Sequence, residues 1–422
     1  MKHLGVCALL AALAGAAVLI GCKPLDPPGG MANLDCSQCH SGNSSGTYSM
    51  QVLANEAGYA NSGHYNGLRK FNTVPIYNAT GNIFSFGGSN AMRNNGATCS
   101  QCHTDQGFVS YITTGTAGDQ EPASPPGCFT CHNPHVTGNF SLRSQAPVTL
   151  IDGVTVYNHG AGNLCVNCHH ARAAVGGAIT GSGSAWKAAS PHHGVQSDVL
   201  SGANFVSFGG TYQGVSPHAT APVDSCVSCH KFDPASGNLS GTLQLGGHGF
   251  YLTGQVGTAQ KDITALCKSC HSLAGTASGN TFSNPATHVA PADWDGNGTT
   301  SDKLVEIRGL RDRLLVYFYN NPAPAPGGVV TIVAGSAWTG AFPATEPSTL
   351  EWYKDFAIAS SVTFATQAQA QAFWNLELFL EDRSNGIHNP TFEAQILWDS
   401  INNLNTSGAP GTPITIGATR PR

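Results

Sequence analysis

Charged side chains are scarce in this 422-residue chain: Lys and Arg number 19 and Asp and Glu 24, together 10% of the residues. A soluble domain carries about a quarter. The net charge is only −5 and there is no basic run, which argues against nucleic acid as a partner. Long uninterrupted helices or strands cannot dominate, because 51 Gly and 24 Pro interrupt the chain. The length allows two or three domains of ordinary size, yet an apolar core is thinly provided for. What the chain has in excess is cysteine and histidine, 14 and 17 residues.

The first residues read as a targeting segment. Lys2 supplies a small positive region, and Leu4 to Ile20 is an apolar stretch too short and too close to the terminus to favour a spanning helix. It ends in Leu19-Ile20-Gly21-Cys22, which resembles the bacterial lipobox, in which Cys22 is lipidated and becomes the mature N-terminus. The alternative is an ordinary secretory peptide with Cys22 incidental. In the lipoprotein logic, Lys23 after the cysteine favours the outer membrane. Cys7 leaves with residues 1–21, and the mature chain enters an oxidising compartment.

Once Cys7 and Cys22 are set aside, the other twelve cysteines fall into six C-x-x-C-H units. They are Cys36/Cys39/His40, Cys99/Cys102/His103, Cys128/Cys131/His132, Cys165/Cys168/His169, Cys226/Cys229/His230 and Cys267/Cys270/His271. Structural zinc wants paired knuckles about 15–20 residues apart, whereas successive pairs here are separated by 59, 25, 33, 57 and 37 residues. Disulfides give no reason for a His after every second Cys. A thioredoxin-like pair is expected once, near a βαβ pattern. The unit reads instead as a c-type haem attachment site: two thiols add across the haem vinyl groups, and the His is held under the ring as proximal iron ligand. Six covalent haems are the expectation.

Ten histidines remain beyond His3 and the six proximal residues: His64, His135, His159, His170, His192, His193, His218, His248, His288 and His388. That is enough for six distal ligands. At this point the chain, over roughly residues 36–405, resembles the multihaem c-type cytochromes of dissimilatory metal-reducing bacteria, many of them outer-membrane lipoproteins. Ser62-Gly63-His64 followed by Cys99 to Thr104 and Gly107-Phe108 is similar to a recurring unit of that family. Cys128-Phe129-Thr130-Cys131-His132-Asn133-Pro134-His135 resembles its C-x-x-C-H-x-P-H unit, in which the last His serves a different haem; His135 also lies too close to His132 to reach the opposite face of the same ring. Ser190-Pro191-His192-His193-Gly194, Ser216-Pro217-His218 and Gly246-Gly247-His248-Gly249-Phe250 resemble distal positions. The sequence does not choose between His192 and His193; the family pattern favours the first. Asp382 to Pro390, with Gly386-Ile387-His388-Asn389, resembles a distal segment of the wider multihaem family that includes nitrite reductases. The resemblance thus implies His64, His135, His192, His218, His248 and His388 as distal ligands, with His159, His170, His193 and His288 in reserve.

The expected fold class is mostly coil with short helices around the covalent haems, a minor β-hairpin at Thr149–Tyr157, and an α-helical C-terminal section. Residues 22–290 are expected to form the haem-binding region and 291–422 the helical region. In the latter, apolar spacing and capping signals predict helices over 301–319, 367–381 and 390–404, with His388 in the turn between the last two. Asp293-Trp294-Asp295-Gly296-Asn297-Gly298 matches the opening of a calcium loop, with Asp293, Asp295 and Asn297 as ligands. Leu304 stands where an EF-hand has Glu, so further oxygens would come from Asp302 or Glu306.

Six irons with paired histidines have no open coordination site. The expectation is therefore an electron carrier rather than a substrate-converting enzyme, with bis-His ligation giving low potentials and about 67 mature residues per haem allowing a chain of closely spaced centres. The resemblance implies electron flow toward an extracellular acceptor such as a metal oxide. Its implied partners are other c-type cytochromes or outer-membrane conduit proteins, the membrane through the N-terminal lipid, and copies of the chain itself in a filament, on the periplasmic or cell-surface face. The alternative is a multihaem reductase of a small oxyanion such as nitrite or tetrathionate. Such enzymes often carry a C-x-x-C-K unit, and none occurs here.

Overall fold

A computed structural model describes residues 55–65, 100–118, 126–134, 141–232, 245–256, 259–271, 288–321 and 362–422. The chain divides into two compact units, residues 1–144 and 145–422. The sequence boundary expected at 290/291 falls inside the second unit, so the helical C-terminal section is continuous with much of the cysteine-rich region.

In the first unit, α1 (Ser100–His103) leads directly into α2 (Asp105–Thr114). Thr104 caps α2 by accepting from Gly107 N at 3.0 Å. A Cβ on Gly107 would lie 2.3 Å from Ser100 O, so the close approach of the two helices requires glycine there. The one-turn helix α3 (Cys128–Cys131) is fastened to α2 by Thr130 Oγ1, which donates to Asp105 Oδ1 at 2.5 Å. Arg143 donates to the carbonyls of Phe129 and His132 at 2.6 and 3.2 Å, closing the following loop back over α3.

The second unit begins with the hairpin β1 (Val148–Thr149) and β2 (Val156–Tyr157), paired Val148↔Tyr157. Asp152 makes the turn, its Oδ1 accepting from Val154 N and Thr155 N. There follow the short helices α4 (Gly162–Val166) and α5 (Val175–Ala178), strands β3 (Ile179–Ser182) and β4 (Ala185–Ala188), then α6 (Gln196–Ser201), α7 (Pro217–Thr220) and α8 (Cys226–His230). A second hairpin joins β5 (Thr253–Val256) to β6 (Ala259–Asp262).

The main core belongs to the C-terminal section. Here α9 (Lys303–Asn320), β7 (Val362–Phe364), α10 (Gln367–Asp382) and α11 (Pro390–Thr406) pack together. Asp302 caps α9 by accepting from Leu304 N, Thr366 and Gln369 form a capping box for α10, and Pro390 opens α11 where a missing N–H costs nothing. Leu304, Ile307, Leu310, Leu314 and Phe318 line the buried face of α9, and Phe392, Ile396, Leu397, Ile401 and Leu404 that of α11. Burial of such a side chain contributes about 1.5–3 kcal/mol, so among the described residues this three-helix cluster is the firmest support. β7 joins β4 in the order β3-β4-β7, Trp186 opposite Phe364, so residues near 186 are stitched to the helices. Among the described residues no helix is long and apolar enough to cross a membrane.

Candidate metal centres

Five of the six C-x-x-C-H units fall wholly or partly in the described residues. Cys36, Cys39 and His40, together with Cys22, Cys99 and His135, lie outside them. The others share one local device, a single helical turn. His132, His169 and His271 donate their backbone N–H to the carbonyls of Cys128, Cys165 and Cys267 at 3.0, 2.9 and 2.8 Å, and α8 holds Cys226 to His230 in the same way. Four residues apart on an α-helix is one face, so in α8 the Cys226 thiol and the His230 imidazole project to the same side.

The nine described cysteines, all expected as thioether sulfurs, are Cys102, Cys128, Cys131, Cys165, Cys168, Cys226, Cys229, Cys267 and Cys270; none forms a disulfide. Cys102 is half-buried within α1, directly before His103. Cys168 is also half-buried, just past the end of α4, and its N–H donates to Cys165 O at 3.1 Å. Its carbonyl faces the His192–Gly194 segment: a Cβ on Gly194 would meet Cys168 O at 3.3 Å. The thiols that the sequence assigns to haem attachment are thus not spent on cross-linking the chain.

Three units lie near one another. A Cβ on Gly162 would meet Asp224 O at 3.1 Å and Cys226 N at 3.3 Å, so glycine lets α4 approach the N-terminus of α8. Cys226 hydrogen-bonds Cys165, and that bond chiefly pushes its thiol down to about 5, against the opposing effect of burial. Tyr157 Oη lies 3.8 Å from Cys226 Sγ. Cys229 points the other way: burial first, then the nearby thiols of Cys267, Cys226 and Cys270, push it up to about 11. The fifth unit therefore neighbours both the fourth and the sixth.

The imidazoles are oriented through Nδ1. His132 donates from Nδ1 to Ser141 O at 3.3 Å, His169 to Gln196 Oε1 at 2.9 Å and His230 to Phe250 O at 3.0 Å. His271 Nδ1 pairs with His288 Nε2 at 2.8 Å. Outside the C-x-x-C-H units, His192 donates to His193 O at 3.1 Å, His218 to Ile387 O at 2.5 Å and His388 to Asp382 Oδ1 at 2.6 Å. Metal-binding histidines are commonly held so, with the second nitrogen left for the ion. In the two Ser-Pro-His segments the serine makes the turn: Ser190 Oγ accepts from His192 N, and Ser216 Oγ from His218 N. His248 differs, since its Nε2 accepts from Lys231 Nζ at 3.0 Å. His64 is exposed beside the buried Ser62.

Burial lowers His169, His218 and His230 below the ordinary histidine value, favouring the neutral ring that binds metal. His388 goes the other way: burial opposes its charge, but the Asp382 carboxylate beside it prevails and raises the value. Its turn is built for the purpose. Gly386 has φ +100°, and a Cβ there would press on Leu304 Cδ2 at 2.9 Å and Ile307 Cδ1 at 3.0 Å. Asn389 Nδ2 donates to Val199 O and Gly214 O at 3.0 and 2.9 Å, tying the turn to the segment before His218. Gln196, which accepts from His169, also donates to the carbonyls of Glu381 and Asp382 at 3.1 and 3.0 Å.

The calcium-like loop has its own arrangement. Asp293, Asp295 and Glu306 offer carboxylate oxygens within 4.8 Å of one another. Glu306 is fully buried and accepts backbone N–H groups from Trp294, Asp295 and Ser301 at 2.8, 3.2 and 2.6 Å. Burial, with Glu306 nearby, pushes Asp295 up to about 6. Asn297 Oδ1 accepts from Thr299 N while its amide nitrogen donates to Asp295 Oδ2, so the carboxylates of Asp293, Asp295 and Glu306 are the oxygens nearest a common point.

Several of these partners carry no sequence signal. Ile387 O, Phe250 O and Ser141 O are main-chain atoms, and Gln196 stands in no motif. Asp382 lay within the segment quoted around His388, but its role on Nδ1 emerges only from the fold. No family model, curated protein or solved structure matches the chain; the resemblance to multihaem cytochromes rests on the motifs themselves.

Proposed function

We propose that this chain is an electron-transfer hexahaem c-type cytochrome, anchored at the outer membrane through lipid on Cys22. The observation that carries the reading is that every cysteine after Cys22 belongs to a C-x-x-C-H unit. The described residues fit such a group: each complete unit closes a single turn from its first cysteine to its histidine, and four proximal rings are tethered at Nδ1. Haem, when bound, supplies the one-electron iron couple. The chain's own residues attach it through the paired thiols, present neutral imidazoles and hold those rings in place. Covalent attachment suits a cysteine-rich region whose apolar clusters are small.

Its partners in this reading are other c-type cytochromes or an outer-membrane conduit, with the chain's own copies as a filament, and metal oxide as the final acceptor. Calcium held by Asp293 and Asp295, with Glu306 in place of the EF-hand's last ligand, would fix the loop before α9. Reduction of a small oxyanion would require an open iron.

The test is the intact mass of the mature protein together with the electron paramagnetic resonance spectrum of its oxidised form. A mass increment of six haems with only low-spin ferric signals is expected. An unmodified polypeptide mass overturns the cytochrome reading, and a high-spin signal of one iron per molecule replaces the carrier with the reductase.

A further inference from the structure

We infer that the single turn from Asp382 to Pro390 governs the ligation of two neighbouring irons: His388 binds opposite His230, and Ile387, through its carbonyl, positions His218 opposite His271. The inference rests on the haem reading and adds the pairing of ligands and the adjacency of the two irons they hold.

Two imidazoles bound through Nε2 on opposite sides of one metal, each at about 2 Å, hold their ring centroids roughly 6 Å apart. His230 and His388 have centroids 6.4 Å apart, and His218 and His271 6.0 Å. Two other histidine pairs in contact have a different geometry. His271 and His288 are 4.7 Å apart and joined by a direct 2.8 Å hydrogen bond; His192 and His193 are chain neighbours at 3.9 Å. Each pair with the axial spacing unites one C-x-x-C-H histidine with one from outside those units, which is the combination that a six-coordinate attached haem needs.

Orientation agrees with spacing. All four rings are engaged at Nδ1, by Phe250 O, Asp382 Oδ1, Ile387 O and His288 Nε2, so Nε2 is the coordinating nitrogen in each. His288 consequently acts behind His271 as a positioning residue and is not the ligand opposite it. Geometry places the three units together: Gly162 of α4 packs against Cys226 N, and Ile387, next to His388, holds His218 6.0 Å from His271. The iron held by His230 and His388 thus neighbours those of the fourth and sixth units. The turn also reaches the fourth unit, because Gln196 links His169 to the carbonyls of Glu381 and Asp382.

The decisive experiment uses the full-length haem-loaded protein and counts high-spin ferric iron by paramagnetic resonance. His388→Ala should create one high-spin iron per molecule. Combined with Cys226→Ala and Cys229→Ala, which remove the haem attached there, it should add none; combined with Cys267→Ala and Cys270→Ala, it should still add one. For His218→Ala the two backgrounds exchange roles. The opposite pattern, or a high-spin iron that persists in both backgrounds, overturns the pairing. Should a cysteine variant fail to accumulate, a cryo-electron-microscopy map of the unaltered protein decides: His388 Nε2 on any iron other than that of the Cys226/Cys229 haem refutes the inference. A wild-type mass without haem defeats the cytochrome reading itself, whereas six haems with other ligand pairs defeat only this one.

Discussion

Glu377 offers a measurement that needs no knowledge of electron transfer. It sits in the middle of α10, 2% exposed, and its Oε1 finds no hydrogen-bond partner. Burial, reinforced by Glu381 one turn along, pushes its carboxyl up to about 8 from an ordinary 4.5, despite a hydrogen bond with Ser190. Below pH 4.5 both the folded and the unfolded chain hold the proton. Between pH 4.5 and 8 the unfolded chain has released it while the folded chain retains it, so the native state binds more protons and stability falls as pH rises. Each unit of that interval is worth about 1.4 kcal/mol. The whole window therefore costs on the order of 3–5 kcal/mol, most of it already lost at pH 7. Glu377→Gln has the same shape and no proton to exchange. Denaturant unfolding of the two proteins at pH 5, 6, 7 and 8 should show the variant gaining steadily on the wild type as pH increases. Parallel stability curves would refute the reasoning, because they would mean that Glu377 titrates alike in both states.

Glu306→Ala removes the acceptor for three backbone N–H groups at a fully buried position; with about 1–3 kcal/mol for each donor left stranded, unfolding should become easier by roughly 3 kcal/mol or more, and a loss below about 1 kcal/mol would show that the loop before α9 closes without it. If calcium also occupies that loop, millimolar calcium should raise the melting temperature of the wild type over that in chelator, and an identical melting temperature dismisses calcium there. Asp382→Asn keeps an oxygen that His388 Nδ1 can donate to but removes its charge. Charge-assisted bonds are about twice as strong as neutral ones, so roughly 1 kcal/mol of preference for ferric iron disappears and one haem midpoint potential should rise by about 40 mV. Spectroelectrochemical titration would contradict this if no component moved upward.

Sequence reasoning reached the C-terminal helices to within a few residues because their signals are local. Periodic Leu and Ile, Asp302 and Thr366 as caps, and Pro390 at a first turn are all read from neighbours in the chain. The three-stranded sheet was not legible. β4 is Ala-Trp-Lys-Ala, without a clear alternation, and its partner Phe364 lies far along the chain from Trp186; only the assembled core brings them together. The C-x-x-C-H units are visible because residue type and spacing repeat together, as covalent attachment would require. The groups behind each imidazole are hidden because most are carbonyls, which every residue possesses. His288 shows the cost of reading type alone: counted by sequence among spare distal ligands, it is found against His271 Nδ1.

The division of labour within the second unit follows from that contrast. In the proposed reading, closely spaced haems would leave little room for apolar side chains between them, and the cysteine-rich segments would not order their own histidines by packing. α9, α10 and α11 bury a continuous set of Leu, Ile and Phe residues and can hold a strained turn. Gly386 at φ +100° against Leu304 and Ile307, and Arg383 at φ 61°, are conformations that a loosely packed region would relax. The rigid section therefore determines more than the position of His388. Through Gln196, Asn389 and the Ile387 carbonyl, the same turn holds residues beside His169, before His218 and at His218 itself. A cytochrome built this way would tolerate changes in its loops more readily than changes in the apolar core of its C-terminal helices.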